Sequence, residues 1–190
     1  LSPRSLSDTR SKRSSKEDFR KGALFSIYFS VAYVYGGVYN KISKKRQEVF
    51  PMKDPNCGYC ARGELLDAFG IVICELSVST LILFKEQSHP GRCIVAYKDH
   101  VSEIVNLTDE ERNAFMADVT RAAKAIHAAF HPDKVNYGAY GDTGCHLHVH
   151  LVPKYRDGFE WGGVFAMNPG QTKLTDAQYA EMIEKIKAAL

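Results

Sequence analysis

Cysteine is scarce here and does not pair off: Cys57, Cys60, Cys74, Cys93 and Cys145 make an odd five. No secreted disulfide framework suits that count, and the Cys57-x-x-Cys60 spacing reads as metal binding or redox chemistry in a reducing compartment. Positive charge is also scarce once the N-terminus is set aside. The net charge is +3, yet residues 1–51 hold 11 Lys and Arg against 4 Asp and Glu, whereas residues 52–190 hold 14 against 18. The basic excess therefore belongs to the N-terminal segment, and the remainder offers no footprint for nucleic acid. No internal repeat recurs, so a stacked-repeat architecture is excluded. What is present, 45% hydrophobic and 25% charged residues in a chain of 190, suits one globular domain with a sizeable core, with or without an appendage.

Residues 1–51 differ from all that follows. Their start is rich in serine and basic residues and should not fold alone. Gly22 to Asn40 is an uncharged run flanked by Arg20–Lys21 and by Lys41, Lys44, Lys45 and Arg46. Three readings compete: a membrane anchor of just sufficient length, a signal sequence without a convincing cleavage site, or a segment foreign to the protein. The run is a weak hydrophobe, the chain begins with Leu, and Met52 opens "MKDPNCGYC" like a native start. The third reading is preferred, which leaves residues 1–51 as an extension outside the fold and residues 52–190 as the domain. A membrane enters as a partner only if the extension is a true anchor.

From Met52 onward the pattern is regular. A short helix is expected over Gly63–Phe69. Strands are expected over Ile71–Leu76, Thr80–Phe84, Cys93–Lys98 and Lys134–Gly141, from short apolar runs bounded by turn residues. The strongest helix starts at Thr108, where Glu111 completes a capping box. Phe115, Val119, Ala122, Ile126 and Ala129 recur along it at helical spacing, and Pro132 stops it. A last helix starts at Thr175–Asp176, with Gln178 as the box partner. Short connections favour hairpins, so the class is α+β: a five-stranded, mostly antiparallel sheet with one long helix and a C-terminal helix.

The fifth strand holds the sharpest signal. "CHLHVHLVPK", Cys145 to Lys154, sets His146, His148 and His150 at alternate positions, with Leu147, Val149 and Leu151 between them. Side chains alternate across a strand, so the three imidazoles share one face and the three aliphatics the other. A solvent-facing polar strand is the bland explanation, and three histidines in register weigh against it. Two chemistries use such a row: metal ligation, or nucleophilic attack on phosphorus by a neutral imidazole. "YGDTG", Tyr140 to Gly144, leads straight into the strand. Its backbone N–H groups and Thr143 hydroxyl suit phosphate oxygens, which a bare metal site would not need.

His-Leu-His-Val-His-Leu-Val, His146 to Val152, resembles the signature of the histidine-triad (HIT) family. Asn136, Gly141, Thr143 and Pro153 are similar to that family's run through its active-site strands. "GRCIVAYKDH", ending in Lys98-Asp99-His100, resembles the preceding strand, and "DPNCGYC" the Cys-x-x-Cys opening of many bacterial members. The resemblance runs from about Met52 to the C-terminus. It implies a HIT-like fold, usually a cytoplasmic homodimer, acting on purine nucleotides joined through the α-phosphate to an amine or another phosphate. His148 takes the position of the nucleophile, which would form a nucleotidyl-histidine intermediate. His150 would contact the phosphate or leaving atom, Thr143 would hold the phosphate or pass a proton, and Gly141 and Asn136 would bind phosphate. Glu86 lies near where the family has a ribose-binding acid. Zinc-bearing members imply a structural site from Cys57, Cys60, His100 and His146, with no cofactor needed for catalysis. A nucleotide-binding scaffold without catalysis, and a metal-dependent hydrolase using the histidine row as ligands, are the rival readings. His89 and His131 read as turn and helix-end residues, His127 as a surface or packing residue, Cys74 and Cys93 as small buried hydrophobes, and Trp161 as part of a pocket or a dimer seam.

Overall fold

The computed structural model describes residues 53–170 and 172–190, so the readings made for residues 1–51, and Met52, lie outside the described residues. Two one-turn helices open the domain, α1 (Gly58–Ala61) and α2 (Glu64–Asp67). Strands β1 (Gly70–Glu75), β2 (Ser79–Phe84) and β3 (Cys93–Tyr97) follow as an antiparallel meander. A 3₁₀ turn (Ile104–Asn106) leads to the long helix α3 (Asp109–Phe130). Strands β4 (Lys134–Gly138) and β5 (His148–Lys154) and helix α4 (Asp176–Ala188) complete the order. The sheet runs β1-β2-β3-β5-β4 with every pair antiparallel, as the α+β expectation required.

Alternation gives the sheet two unlike faces. Leu81, Leu83, Cys93, Val95, Tyr97, Val149 and Leu151 point to one side, where Phe115, Val119, Ala122 and Ile126 of α3 and Ile183 and Ile186 of α4 cover them. Helix α3 reaches this face through its apolar stripe and starts where Thr108 and Glu111 bond reciprocally, Glu111 N to Thr108 Oγ1 at 3.2 Å and Thr108 N to Glu111 Oε2 at 2.8 Å. It ends at His131, which takes a left-handed φ of 50° just before Pro132. Asp118 breaks the apolar stripe. Its buried carboxylate accepts from Val78 N (2.8 Å) and Ser79 Oγ (2.7 Å) and so ties the β1–β2 turn to α3.

The opposite face carries a smaller cluster of Leu66, Ile82, Phe84, Ile94 and Ala96, topped by Tyr59 and Phe69. The histidines lie on this side. His148 pairs with Ala96 and His150 with Ile94 on β3, and His150 with Gly138 on β4. One expectation needs correction: the strand begins at His148, and His146 precedes it. Leu147 nonetheless stays tied to the sheet, donating to Val101 O at 2.6 Å and accepting from Tyr97 N at 2.9 Å, which holds His146 beside its neighbours.

Candidate active site

The three imidazoles line one cavity of about 580 Å³, together with Cys57, Tyr59, Phe69, Phe84, His100, Thr143 and Met167. Its floor is β5, its rim the loop before β5, and its wall the α1 turn. The Tyr59 ring lies 4.9 Å from that of His146 and 5.0 Å from that of His148, tilted by 35° and 30° to them. Small strand neighbours make the room. A Cβ on Gly138, which pairs with His150, would sit 2.5 Å from the Tyr140 ring and 2.7 Å from that of Phe165.

Each ring has a different partner, and the partner dictates its tautomer. A carbonyl only accepts, so His146 donates through Nε2 to Tyr97 O at 2.7 Å, leaving its lone pair on Nδ1. His148 donates through Nδ1 to His146 O at 2.6 Å, leaving its lone pair on Nε2. His150 Nδ1 meets the Arg92 guanidinium, Nη2 at 3.4 Å, and a guanidinium only donates. All three stay uncharged at neutral pH. Burial pushes His146 down to about 4, opposed by its bond to Tyr97. Burial likewise holds His148 below its ordinary value, against the pull of the His146 carbonyl. Burial, then the Arg92 charge and His148, take His150 down to about 3. A neutral, buried imidazole with a free Nε2 lone pair is equipped for nucleophilic attack without a strong base.

His146 Nδ1 faces a second group. It lies 3.5 Å from Cys57 Sγ, 3.4 Å from Cys60 Sγ and 3.4 Å from His100 Nδ1, and Cys60 Sγ is 3.3 Å from His100 Nδ1. These four ligand atoms all lie within 4.8 Å of one another. Tetrahedral zinc with ordinary bond lengths has N–N edges of about 3.3 Å and N–S edges of about 3.6 Å, so the cluster matches a closed Cys2His2 site. It could hold a metal, and it draws one histidine from the row rather than three.

The remaining expected residues are not all gathered in the cavity. Thr143 lines it, on an exposed loop. Gly141 is on the same loop, where an added Cβ would meet only Ser102 O, at 3.9 Å. Asn136 pairs with Val152, one step along from His150 on the same face, and lines a separate hollow with Tyr137, Tyr140 and Phe165. Glu86 is buried outside the cavity lining, 3.9 Å from Arg92 Nη1. His89 proves to be a buried residue bonded to Glu160 at 3.0 Å, more than a turn position, while His127 and His131 are exposed as expected. Cys93 is buried and Cys74 half-buried. Trp161 lines none of these hollows, and Arg156 lies over its ring at 5.4 Å.

Arg92 is the residue the sequence reading missed. The side chain is fully buried, stacked on Phe84 at 4.3 Å and Phe165 at 5.1 Å. Its parity is the overlooked signal: Arg92 alternates with Ile94 and Ala96, which places it on the histidine face. Burial takes its guanidinium down to about 10, with Glu86 opposing.

An open antiparallel sheet with a buried histidine row on one face and helices packed on the other is the histidine-triad architecture. Residues 69–157 match the family model described as the HIT domain. The chain is 32% identical over 106 residues to "AP-4-A phosphorylase" of Mycobacterium tuberculosis, covering 53% of this chain and 51% of the relative. It is 28% identical over 93 residues to "Protein hit" of Bacillus subtilis, covering 46% and 64%. The chain thus spans about half the length of the mycobacterial relative and under two thirds of the Bacillus one. A histidine triad protein from Sinorhizobium meliloti superposes with a TM-score of 0.62 at 21% identity, over 67% of this chain and 95% of that one. One from Marinobacter aquaeolei VT8 does so with a TM-score of 0.62 at 22% identity, over 68% and 94%. At such identities the structures establish the fold. Residues 69–157 of the chain thus form a HIT domain. Among the described residues no helix is long and apolar enough to cross a membrane.

Proposed function

We propose that the protein cleaves nucleotides at the α-phosphate through a covalent nucleotidyl-His148 intermediate. The observation that carries this is the 2.6 Å bond from His148 Nδ1 to the His146 carbonyl, which leaves a neutral ring with its lone pair on Nε2 beside the cavity. In the proposed reaction Nε2 attacks the α-phosphorus, the bond from phosphorus to the leaving amine or phosphate breaks, and the leaving atom takes a proton. Water then attacks the same phosphorus and returns free His148 with the nucleoside monophosphate, or another acceptor attacks and leaves bonded to the nucleotidyl group. The Thr143 hydroxyl and the N–H groups of its loop would hold the phosphate oxygens, with Gly141, Asn136 and Glu86 as further nucleotide contacts. Catalysis in this scheme is positioning and charge stabilisation.

The substrates proposed are purine nucleoside phosphoramidates and dinucleoside polyphosphates; the likeness to a relative named for AP-4-A supports including the second. Zinc is the metal we assign to Cys57, Cys60, His100 and His146, where it would pin α1 to the start of β5. Catalysis needs no metal in this reading, because His148 and His150 stand outside that group. A homodimer built on residues 52–190, with residues 1–51 outside the fold, completes it. The test is a panel of an adenosine phosphoramidate and diadenosine polyphosphates, assayed for AMP release by wild type and His148→Ala. Wild type should release AMP from at least one, and the variant from none while still binding nucleotide. Full activity in His148→Ala would refute the reading.

A further inference from the structure

We propose that Arg92 is a positioning residue: held beside Glu86, it donates to His150 Nδ1 and fixes that ring as the Nε2–H tautomer, a neutral hydrogen-bond donor for the leaving atom. The donation from His150 to the leaving atom rests on the function proposed above; the tautomer does not.

A guanidinium has five donors and no acceptor, so its 3.4 Å approach to His150 Nδ1 requires a lone pair there. The proton then belongs on Nε2. A doubly protonated His150 is disfavoured by the same contact, since it would set two cations together on buried side chains. Arg92 is held firmly enough to impose this choice. Its Nη1 meets Ala166 O at 3.4 Å and its Nη2 meets Met167 Sδ at 3.3 Å, with the Phe84 ring beneath at 4.3 Å. Ala166 is itself pinned, its N–H donating to Glu160 Oε2 at 3.0 Å, and Glu160 Oε2 lies 3.0 Å from His89 Nε2.

The arrangement is poor as packing. Arg92 Nε and Glu86 Oε2 are both buried without a hydrogen-bond partner, and the two side chains approach no closer than 3.9 Å. An apolar residue of similar volume would stabilise such a site as well or better. What the guanidinium supplies instead is an asymmetry between two rings 5.1 Å apart. The His146 carbonyl sets His148 with a lone pair on Nε2, and Arg92 sets His150 with a proton there. One ring can then attack phosphorus while the other stabilises the departing atom.

The test begins with ¹⁵N spectra of the wild-type protein carrying ring-labelled histidine, without substrate, with the His150 signals assigned from His150→Gln. The proposal expects an unprotonated Nδ1 and a protonated Nε2 on His150 at neutral pH. In Glu86→Gln/Arg92→Gln, which removes both charges together, the ring should move toward the Nδ1–H form. Its kcat should fall about 10- to 100-fold, and Arg92→Lys should recover part of the loss. Because Arg92 acts through His150, the kcat loss should vanish in a His150→Gln background. A wild-type His150 protonated on Nδ1 would overturn the proposal, as would a full Arg92 effect persisting in that background. The wild-type spectrum needs no variant, so a misfolded one leaves the test decisive. Loss of the His148 adduct would refute the function while the tautomer result still stood.

Discussion

His150 and Leu151 are neighbours in the chain, and both are buried, yet they serve opposite faces of one sheet. Leu151 packs among aliphatic side chains from α3 and α4, where any well-fitting apolar residue would do. His150 sits among Arg92, His148, Phe84 and Phe165, where the Arg92 contact fixes its Nδ1. The first face holds the fold together by volume. The second spends stability on buried polar groups, among them Glu86, Arg92, His146, His148, His150 and Lys154. Stability and chemistry are therefore divided across the thickness of a single sheet.

Substitutions on the two faces should separate accordingly. His148→Ala should lower kcat by at least about a thousandfold, because the attacking atom is gone, with little change in Tm. Leu151→Ala should do the reverse, costing about 2–5 kcal/mol in denaturant unfolding while the folded fraction keeps its kcat. Comparable losses of kcat in both variants would break the comparison. Removing the metal-capable thiols with Cys57→Ser/Cys60→Ser should abolish bound zinc. If the metal is normally held a thousandfold above its dissociation constant, its loss costs about 4 kcal/mol, or about 8–16 °C in Tm. Unchanged metal content and Tm would remove that site.

Asp118→Ala tests the polar residue on the helical face. It should cost about 1–3 kcal/mol, since the turn N–H groups lose a buried acceptor, with kcat unchanged. The last prediction concerns pH dependence. Folding lowers His150 from its ordinary 6.5 to about 3, so the unfolded chain binds the extra proton between those values. Its contribution to stability is complete above about 6.5 and is lost as pH falls toward about 3. Stability measured across that window should fall less steeply with acid in His150→Gln than in wild type.

The helical face was legible from residue pattern because its logic is periodic. Phe115, Val119, Ala122 and Ile126 repeat at helical spacing, and Thr108 with Glu111 marks the start of α3. The alternation of Leu147, Val149 and Leu151 with the histidines was legible for the same reason. The histidine face was only partly so. Its components come from distant segments, and no local period links Arg92 to His150 or Cys60 to His100. The one-turn helix that carries Tyr59 is too short for any periodicity to reveal it. His89 and Asp118 were missed because burial of a polar residue is decided by a partner, Glu160 in one case and the Ser77–Ser79 turn in the other.

The most direct test of the account is a rapid-quench reaction with a labelled adenosine phosphoramidate or dinucleoside polyphosphate, followed by peptide mapping. The account predicts an acid-labile nucleotidyl group on His148, formed and consumed at rates that match turnover and insensitive to brief chelation. Turnover without a protein-bound nucleotide, or a label on any other residue, would contradict it.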